Sequence, residues 1–266
     1  MSPVSRQDTK AAAFVALHAG SAFVLPNPWD AGSARVLAAL GFRALATTSS
    51  GFAFTLGRLD GGATLDEVVA HVAALDLATD LPISVDLENG YGPDPESAAG
   101  AIRRVAEVGA VGASIEDFDP SGHIYDRHHA VERISAAADG ARGLGFPFTL
   151  TARAENLIHG NPDLADTIER LQAFEQAGAD VLFAPGLQTL EEIRAVCTSV
   201  SKPVNVLAVP GLSLQAITEA GAQRVSVGGK LVWVAVQAMA AAAVAIRDTG
   251  DLSVLSAKLP LEEWFR

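Results

Sequence analysis

The sequence predicts an α/β chain that closes as a (β/α)8 barrel of the TIM type. Three observations carry this. Eight short β-like runs alternate with helical patterns over about 250 residues, the count and length such barrels use. Four times an apolar helical pattern ends on a glycine before the next run, at Gly41, Gly109, Gly178 and Gly221, and glycine just past a helix supplies the left-handed C′ residue. An open doubly wound sheet is the alternative, but it calls for a glycine-rich dinucleotide turn after the first strand, where this chain has Asn27-Pro28-Trp29-Asp30.

Taken in order, the strands are expected at Phe23–Leu25, Ala44–Thr48, Ile83–Leu87, Gly112–Ile115, Phe148–Ala152, Val181–Ala184, Val204–Leu207 and Arg224–Val227. Helix starts between them are marked by Asp30 and by the capping boxes Thr64-Leu65-Asp66-Glu67 and Thr189-Leu190-Glu191-Glu192, in which hydroxyl and carboxylate satisfy each other's free N–H groups. Asp94-Pro95 and Asn161-Pro162 place a cap residue before a proline at the first helical position. No linker interrupts the pattern. One domain is expected over 1–266, with the barrel at about 20–230 and a helical tail at 231–266. Leu231 to Ile246 is the most apolar run, short of a membrane span and read as a buried or interface helix. Trp264 and Phe265 near the end are expected to dock on a surface, plausible for a neighbouring subunit.

The composition bounds the function. Of 266 residues 49% are hydrophobic and 19% charged, and the net charge is −12. With no basic cluster, nucleic acid and anionic membranes are poor partners. A single cysteine, Cys197, rules out an intrachain disulfide. Met1–Lys10 is polar, without the apolar core of a signal peptide. A reduced, cytoplasmic setting is the expectation.

Barrel active sites lie at the C-terminal ends of the strands. Side chains alternate along a strand, so Ser84, Asp86 and Glu88 share one face, as do Ser114 and Glu116, and Thr149, Thr151 and Arg153. Three acids thus converge on one rim, an oxygen-rich set of the kind a hard divalent cation takes. Arg153, one strand away, offers a planar fork for a carboxylate or phosphate. Asn205 sits on the seventh strand. Phe52, Phe54, Phe118 and Tyr125 hint at an apolar mouth.

In these residues the chain resembles the isocitrate lyase and phosphoenolpyruvate mutase superfamily, from about Phe23 to Lys230. The matching pieces are Asn27-Pro28-Trp29-Asp30, Thr48-Ser49-Ser50-Gly51, Gly57-Arg58-Leu59-Asp60, Val85-Asp86-Leu87-Glu88-Asn89-Gly90-Tyr91-Gly92, Gly112-Ala113-Ser114-Ile115-Glu116-Asp117 and Thr151-Ala152-Arg153-Ala154-Glu155. The resemblance implies a homotetramer that swaps its last helix. It implies Mg2+ or Mn2+ on Asp86 and Glu88, with Asp60 and Glu116 joining largely through water. It also implies a small anionic 2-oxo acid-like substrate, one carboxylate of which is held by Ser50, the Gly51 and Phe52 amides and Arg153. A pyruvate-enolate-like state would follow.

Two departures limit this. The lyase branch has a loop cysteine after the fourth strand, and the mutase branch has a lysine just after the Glu-Asp pair. Here the loop reads Phe118-Asp119-Pro120-Ser121-Gly122-His123-Ile124-Tyr125. His123 is the candidate acid in that loop, beside Glu116 and Arg153 as candidate catalytic groups. The expected function is C–C bond cleavage of a small 2-oxo or 2-hydroxy carboxylate. The alternatives are a phosphoenolpyruvate or carboxyphosphonoenolpyruvate phosphonomutase, an oxaloacetate-type hydrolase or decarboxylase, and a non-catalytic binder of metal and carboxylate.

Overall fold

A computed structural model describes residues 5–265; Met1–Val4 of the polar N-terminus and Arg266 of the tail lie outside it. Ten strands are present among these residues: β1 Phe23–Leu25, β2 Leu45–Ala46, β3 Ile83–Asp86, β4 Gly112–Glu116, β5 Phe118–Asp119, β6 His123–Ile124, β7 Thr149–Arg153, β8 Val181–Phe183, β9 Val204–Leu207 and β10 Arg224–Ser226. The helices are α1 Arg6–Ala19, α2 Ala31–Ala39, α3 Ser49–Thr55, α4 Leu65–Ala78, α5 Pro95–Ala106, α6 Arg127–Arg142, α7 Leu164–Gln176, α8 Leu190–Ser199, α9 Leu214–Glu219, α10 Lys230–Thr249 and α11 Leu261–Trp264.

Eight parallel strands run in the order β1-β10-β9-β8-β7-β4-β3-β2, while β5 and β6 form a separate antiparallel hairpin. This is the expected (β/α)8 barrel. All eight barrel strands fall within two residues of their expected bounds. The seam between β1 and β2 has no ladder. It is spanned by the Ala46 N–H donating to Pro26 O at 3.0 Å. Asn27 reinforces it: its Nδ2 donates to Thr47 O at 2.9 Å, and its Oδ1 accepts from Val227 and Gly228 N–H at 2.9 and 2.8 Å. One buried side chain thus ties the ends of β1, β2 and β10 together.

The four helix-ending glycines all have positive φ, from +87° to +115°. The capping boxes at Thr64 and Thr189 form as expected, and Asp30 closes a similar box with Ser33. At α7 the cap is Asp163 rather than Asn161: its carboxylate accepts from the Ala165 and Asp166 amides, so the proline lies outside the helix. Asp94 precedes Pro95 at a helix start but makes no side-chain cap bond.

The main core is aliphatic and lies between barrel and helices; a second cluster around Phe14, Phe23 and Leu25 packs α1 under the barrel's N-terminal end. The apolar helix α10 is not buried within the chain, which leaves the interface half of the expectation. Of its residues only Val232 is buried, and Val234 and Met239 are 64% and 62% exposed. It is long and apolar enough to cross a membrane by length and composition. A helix expected to be buried or at an interface is therefore uncovered in the single chain.

Replacing Asn27 by Ala orphans three backbone groups at the seam. The expected loss of stability is about 2–4 kcal/mol, read from urea denaturation midpoints.

Candidate active site

The rim at the C-terminal ends of the strands is organised by one cation. Register pairs Glu116 with Arg153 across β4 and β7, and Asp86 with Ser114 across β3 and β4. Arg153 Nη1 lies 2.8 Å from Asp86 Oδ1, Nη2 lies 3.2 Å from Glu116 Oε2, and Nε lies 2.7 Å from Glu155 Oε1. Every edge of the guanidinium is thus on a carboxylate. Burial alone would lower the Arg153 pKa, but Glu155, Glu116 and Asp86 outweigh it and hold the group well above its ordinary value.

The carboxylates outnumber this cation. Burial pushes Glu116 well up, against the opposing pull of Arg153. Burial, then the charges of Asp86 and Asp60, push Glu88 up to about 7 although Tyr91 Oη donates to it at 3.1 Å. Asp86 is positioned by the chain around it. Its N–H donates to Thr47 Oγ1 at 2.8 Å, and its Oδ2 accepts from Ser49 N–H at 3.1 Å. The strand-face rule places Asp86 correctly and stops short of Glu88, which lies beyond β3 with φ +48°. This left-handed turn, held by Asn89 and Tyr91, brings Glu88 back towards the Asp60 loop, where Gly61 approaches its Oε2.

A cavity of about 220 Å³ opens beside this cluster and runs into the barrel. Ser50, Asp60, Asp86, Arg153 and Asn205 line it, with Ile158, Phe183, Pro185 and Leu207 as its apolar wall. None of the four aromatics expected at the mouth lines the cavity itself. Phe52 stacks on His71, Phe54 packs edge-on to Trp233, and Phe118 stacks on His159. Tyr125 turns inward, donating to Asp119 Oδ2 at 2.8 Å.

Three sequence-derived sites sit differently from expectation. His123 is exposed on the β5–β6 hairpin, bonded to Ser121 Oγ at 3.1 Å, and does not line the cavity. The Gly51 and Phe52 amides are engaged by Thr48 at the start of α3, at 3.4 Å to its Oγ1 and 3.0 Å to its carbonyl. This is ordinary N-capping: the turn's own donors are satisfied locally. Among the described residues no three His, Cys, Asp or Glu side chains are grouped so as to hold a metal as they stand, because Asp86 and Glu116 are turned onto Arg153. The donor set still fits a hard divalent cation. It is all oxygen, it carries surplus negative charge, and burial, then Asp86 and Asp60, hold Glu88 up at about 7 in spite of Arg153. Asp86 and Glu88, with Asp60 and Glu116 beside them, are the residues that would hold one.

Sequence reasoning missed Glu155 as Arg153's third partner, Tyr91 on Glu88, and Arg133. Arg133 is fully buried under the Asn89–Asp94 turn, where it donates to the carbonyls of Asn89, Gly92, Pro93 and Asp94. Only Glu155 and Tyr91 left a trace in the sequence, as neighbours of the acids.

A family profile described as phosphoenolpyruvate phosphomutase matches residues 14–247. The chain belongs to the isocitrate lyase and phosphoenolpyruvate mutase superfamily. A candidate lyase/mutase of Burkholderia cenocepacia J2315 has a similar structure, with TM-score 0.94 and 49% identity over 98% of this chain and 96% of that one. An uncharacterized protein of Mycobacterium tuberculosis H37Rv is 34% identical over 88% of each chain. The 2-methylisocitrate lyase of Escherichia coli K12 is 30% identical over 62% of this chain and 57% of its own. Named relatives in this superfamily are thus lyases and mutases.

Without added metal, Glu88 should cost stability as pH rises between about 4.5 and about 7, while the buried His18 and His71, both lowered to about 4, act in the opposite direction up to about 6.5. In that window the unfolded chain has released the Glu88 proton and the folded chain retains it. Glu116, shifted the same way, adds to the slope. Glu88→Gln should lessen the loss by about 1–3 kcal/mol, measured by urea denaturation with chelator at pH 5 and pH 7.5.

Proposed function

We propose that the chain is a divalent-metal-dependent enzyme that cleaves a C–C bond in a small 2-oxo or 2-hydroxy carboxylate, with Mg2+ or Mn2+ as the cation. The observation that carries this reading is the pairing of one arginine with a surplus of carboxylates at the mouth of a small cavity. Bound there, a divalent cation would supply Lewis-acid stabilisation of negative charge developing on the substrate's 2-oxo oxygen.

The chain's own residues do the rest. With Asp86 and Glu116 holding a cation, the Arg153 fork would be free to take a carboxylate in two parallel hydrogen bonds. Ser50 faces the same space and orients the bound end, while the Asn205 amide is engaged deeper in the cavity by Arg224 and Ser226. Glu155 keeps its grip on Arg153 Nε and so fixes the plane of the fork. Ile158, Phe183 and Pro185 exclude water from one side. The cavity's volume suits a ligand of a few carbons.

Phosphonomutase chemistry is the second reading, favoured by the family profile. It is weakened by Phe118, which occupies the place of a lysine and is stacked on His159 at 3.5 Å between ring centres. The uncovered helix α10 suits burial against further copies of the chain, and a homotetramer in a cytoplasmic setting is part of the proposal.

Titration calorimetry with oxalate tests the site. With Mg2+ present oxalate should bind, and Arg153→Ala should weaken it about a hundredfold or more; equal affinity in the variant would remove Arg153 from the pocket. A panel of 2-hydroxy dicarboxylates, oxaloacetate and phosphonopyruvate then separates the readings. Release of a 2-oxo acid from the first is the expected result, and oxalate binding without turnover of any member would mark a binder. Light scattering on a sizing column should give four chains per particle; a monomer would contradict the assembly.

A further inference from the structure

The same cavity has a second arginine at its floor, and its situation is the reverse of the first. Arg224, at the start of β10, is only 3% exposed yet lines the cavity. Its three hydrogen-bond partners are all neutral. Nε donates to Asn205 Oδ1 at 2.8 Å, Nη2 donates to Thr151 Oγ1 at 3.0 Å, and Nη1 lies 3.2 Å from His18 Nε2. His18 cannot carry charge there. Its Nδ1 is 2.9 Å from Phe14 O and so must hold the proton, leaving Nε2 as an acceptor for Arg224. Burial, then the Arg224 charge, keep this imidazole neutral by lowering it to about 4. Arg224 itself is drawn down to about 9 by burial, with no carboxylate opposing the shift.

A guanidinium has five N–H donors, and three are used. A buried charge without a counter-ion is costly, and folded chains ordinarily pair it. This chain has carboxylates in surplus at the rim and none at the floor. Polar groups that can still donate surround the floor. Asn205 Nδ2 donates to Ser226 Oγ at 3.0 Å, which leaves the Ser226 hydroxyl proton free, and Ser84 and Ser114 also line the cavity. Thr151, which Arg224 touches, is the inward residue two positions before Arg153 on β7. Adjacent inward positions on a strand are about 6.6–6.8 Å apart, so rim and floor belong to one space the length of a short dicarboxylate.

We propose that Arg224, with Ser226 and the serines beside it, is an anion subsite on the barrel floor, separate from the metal edge and sized for one carboxylate or a small inorganic anion. The subsite needs no metal. Its occupant is either the second acid group of the substrate proposed above or a free anion, and both present the same chemistry to Arg224.

Bromide is the probe. Crystals of the full chain, grown with chelator and soaked in bromide, should show an anomalous peak within hydrogen-bonding distance of the Arg224 guanidinium. The peak should be lost in Arg224→Gln and kept in Arg224→Lys and Arg153→Ala. Should Arg224→Gln fail to fold, the wild-type peak decides alone: bromide only at surface sites overturns the proposal. Soaks with Mg2+ then separate the sources. Displacement of bromide by malate but not by oxalate assigns the floor to the substrate's second acid group, and retention under both assigns it to a free anion. Failure of oxalate to bind at the rim while the bromide peak stands would contradict the proposed function and leave the floor subsite intact.

Discussion

The site is governed by an imbalance of charge around Arg153. Three carboxylates contact it, and Glu88 and Asp60 stand close behind. In a medium of reduced dielectric one guanidinium cannot neutralise so many acids: burial first, and the neighbouring acids after it, raise the pKa values of Glu88 and Glu116. The arrangement is stable enough to fold yet unsatisfied, which is the condition for taking up a cation. In the proposed function Arg153 is a conditional anion receptor, its fork occupied by acids until they have another partner.

The barrel exists around this imbalance as a set of supports. Parallel register fixes Glu116 opposite Arg153. Thr47 and Ser49, just beyond β2, fix Asp86 through its own amide and its far oxygen. Below the loops, Asp117 is turned away from the cavity. It accepts from Glu155 N–H at 2.8 Å and pairs with Arg170 at 3.0 Å, so the strand carrying Glu116 is tied to the one carrying Arg153. Arg133 and Tyr125 hold the turn after β3 and the root of the hairpin to each other, with the Arg133 guanidinium 4.7 Å from the centre of the Tyr125 ring. These bonds leave the cavity's polar groups as the ones with capacity to spare.

Most of the barrel was legible because glycines and caps act locally. Gly109 and Gly178 must turn the chain after a helix wherever that helix packs, so their meaning survives without knowledge of the fold. The strand-face rule found Asp86, Glu116 and Arg153 for the same reason. It failed at Glu88, where the chain leaves the strand through a left-handed residue; His123, read as part of a loop, lies instead on a hairpin of two-residue strands whose direction depends on tertiary anchors. The proline at 162 suggested a cap at Asn161, but Asp163 had the better-placed carboxylate. Arg224 was invisible as a site residue. A lone arginine opening a strand reads as a solvated charge, and only the closed barrel shows that it points inward among neutral partners. The exposure of α10 is equally a property of the single chain.

In the proposed function Arg153 and the acids release each other when a cation and an anion arrive together. Binding of the two must then be coupled, and by linkage the coupling is equal in both directions. The direct measurement is Mg2+ affinity by calorimetry with and without saturating oxalate, and oxalate affinity with and without Mg2+. Each ligand should tighten the other by the same factor, about tenfold or more, and the coupling should collapse in Arg153→Ala. Independent binding of the two ligands in the wild-type protein would contradict it.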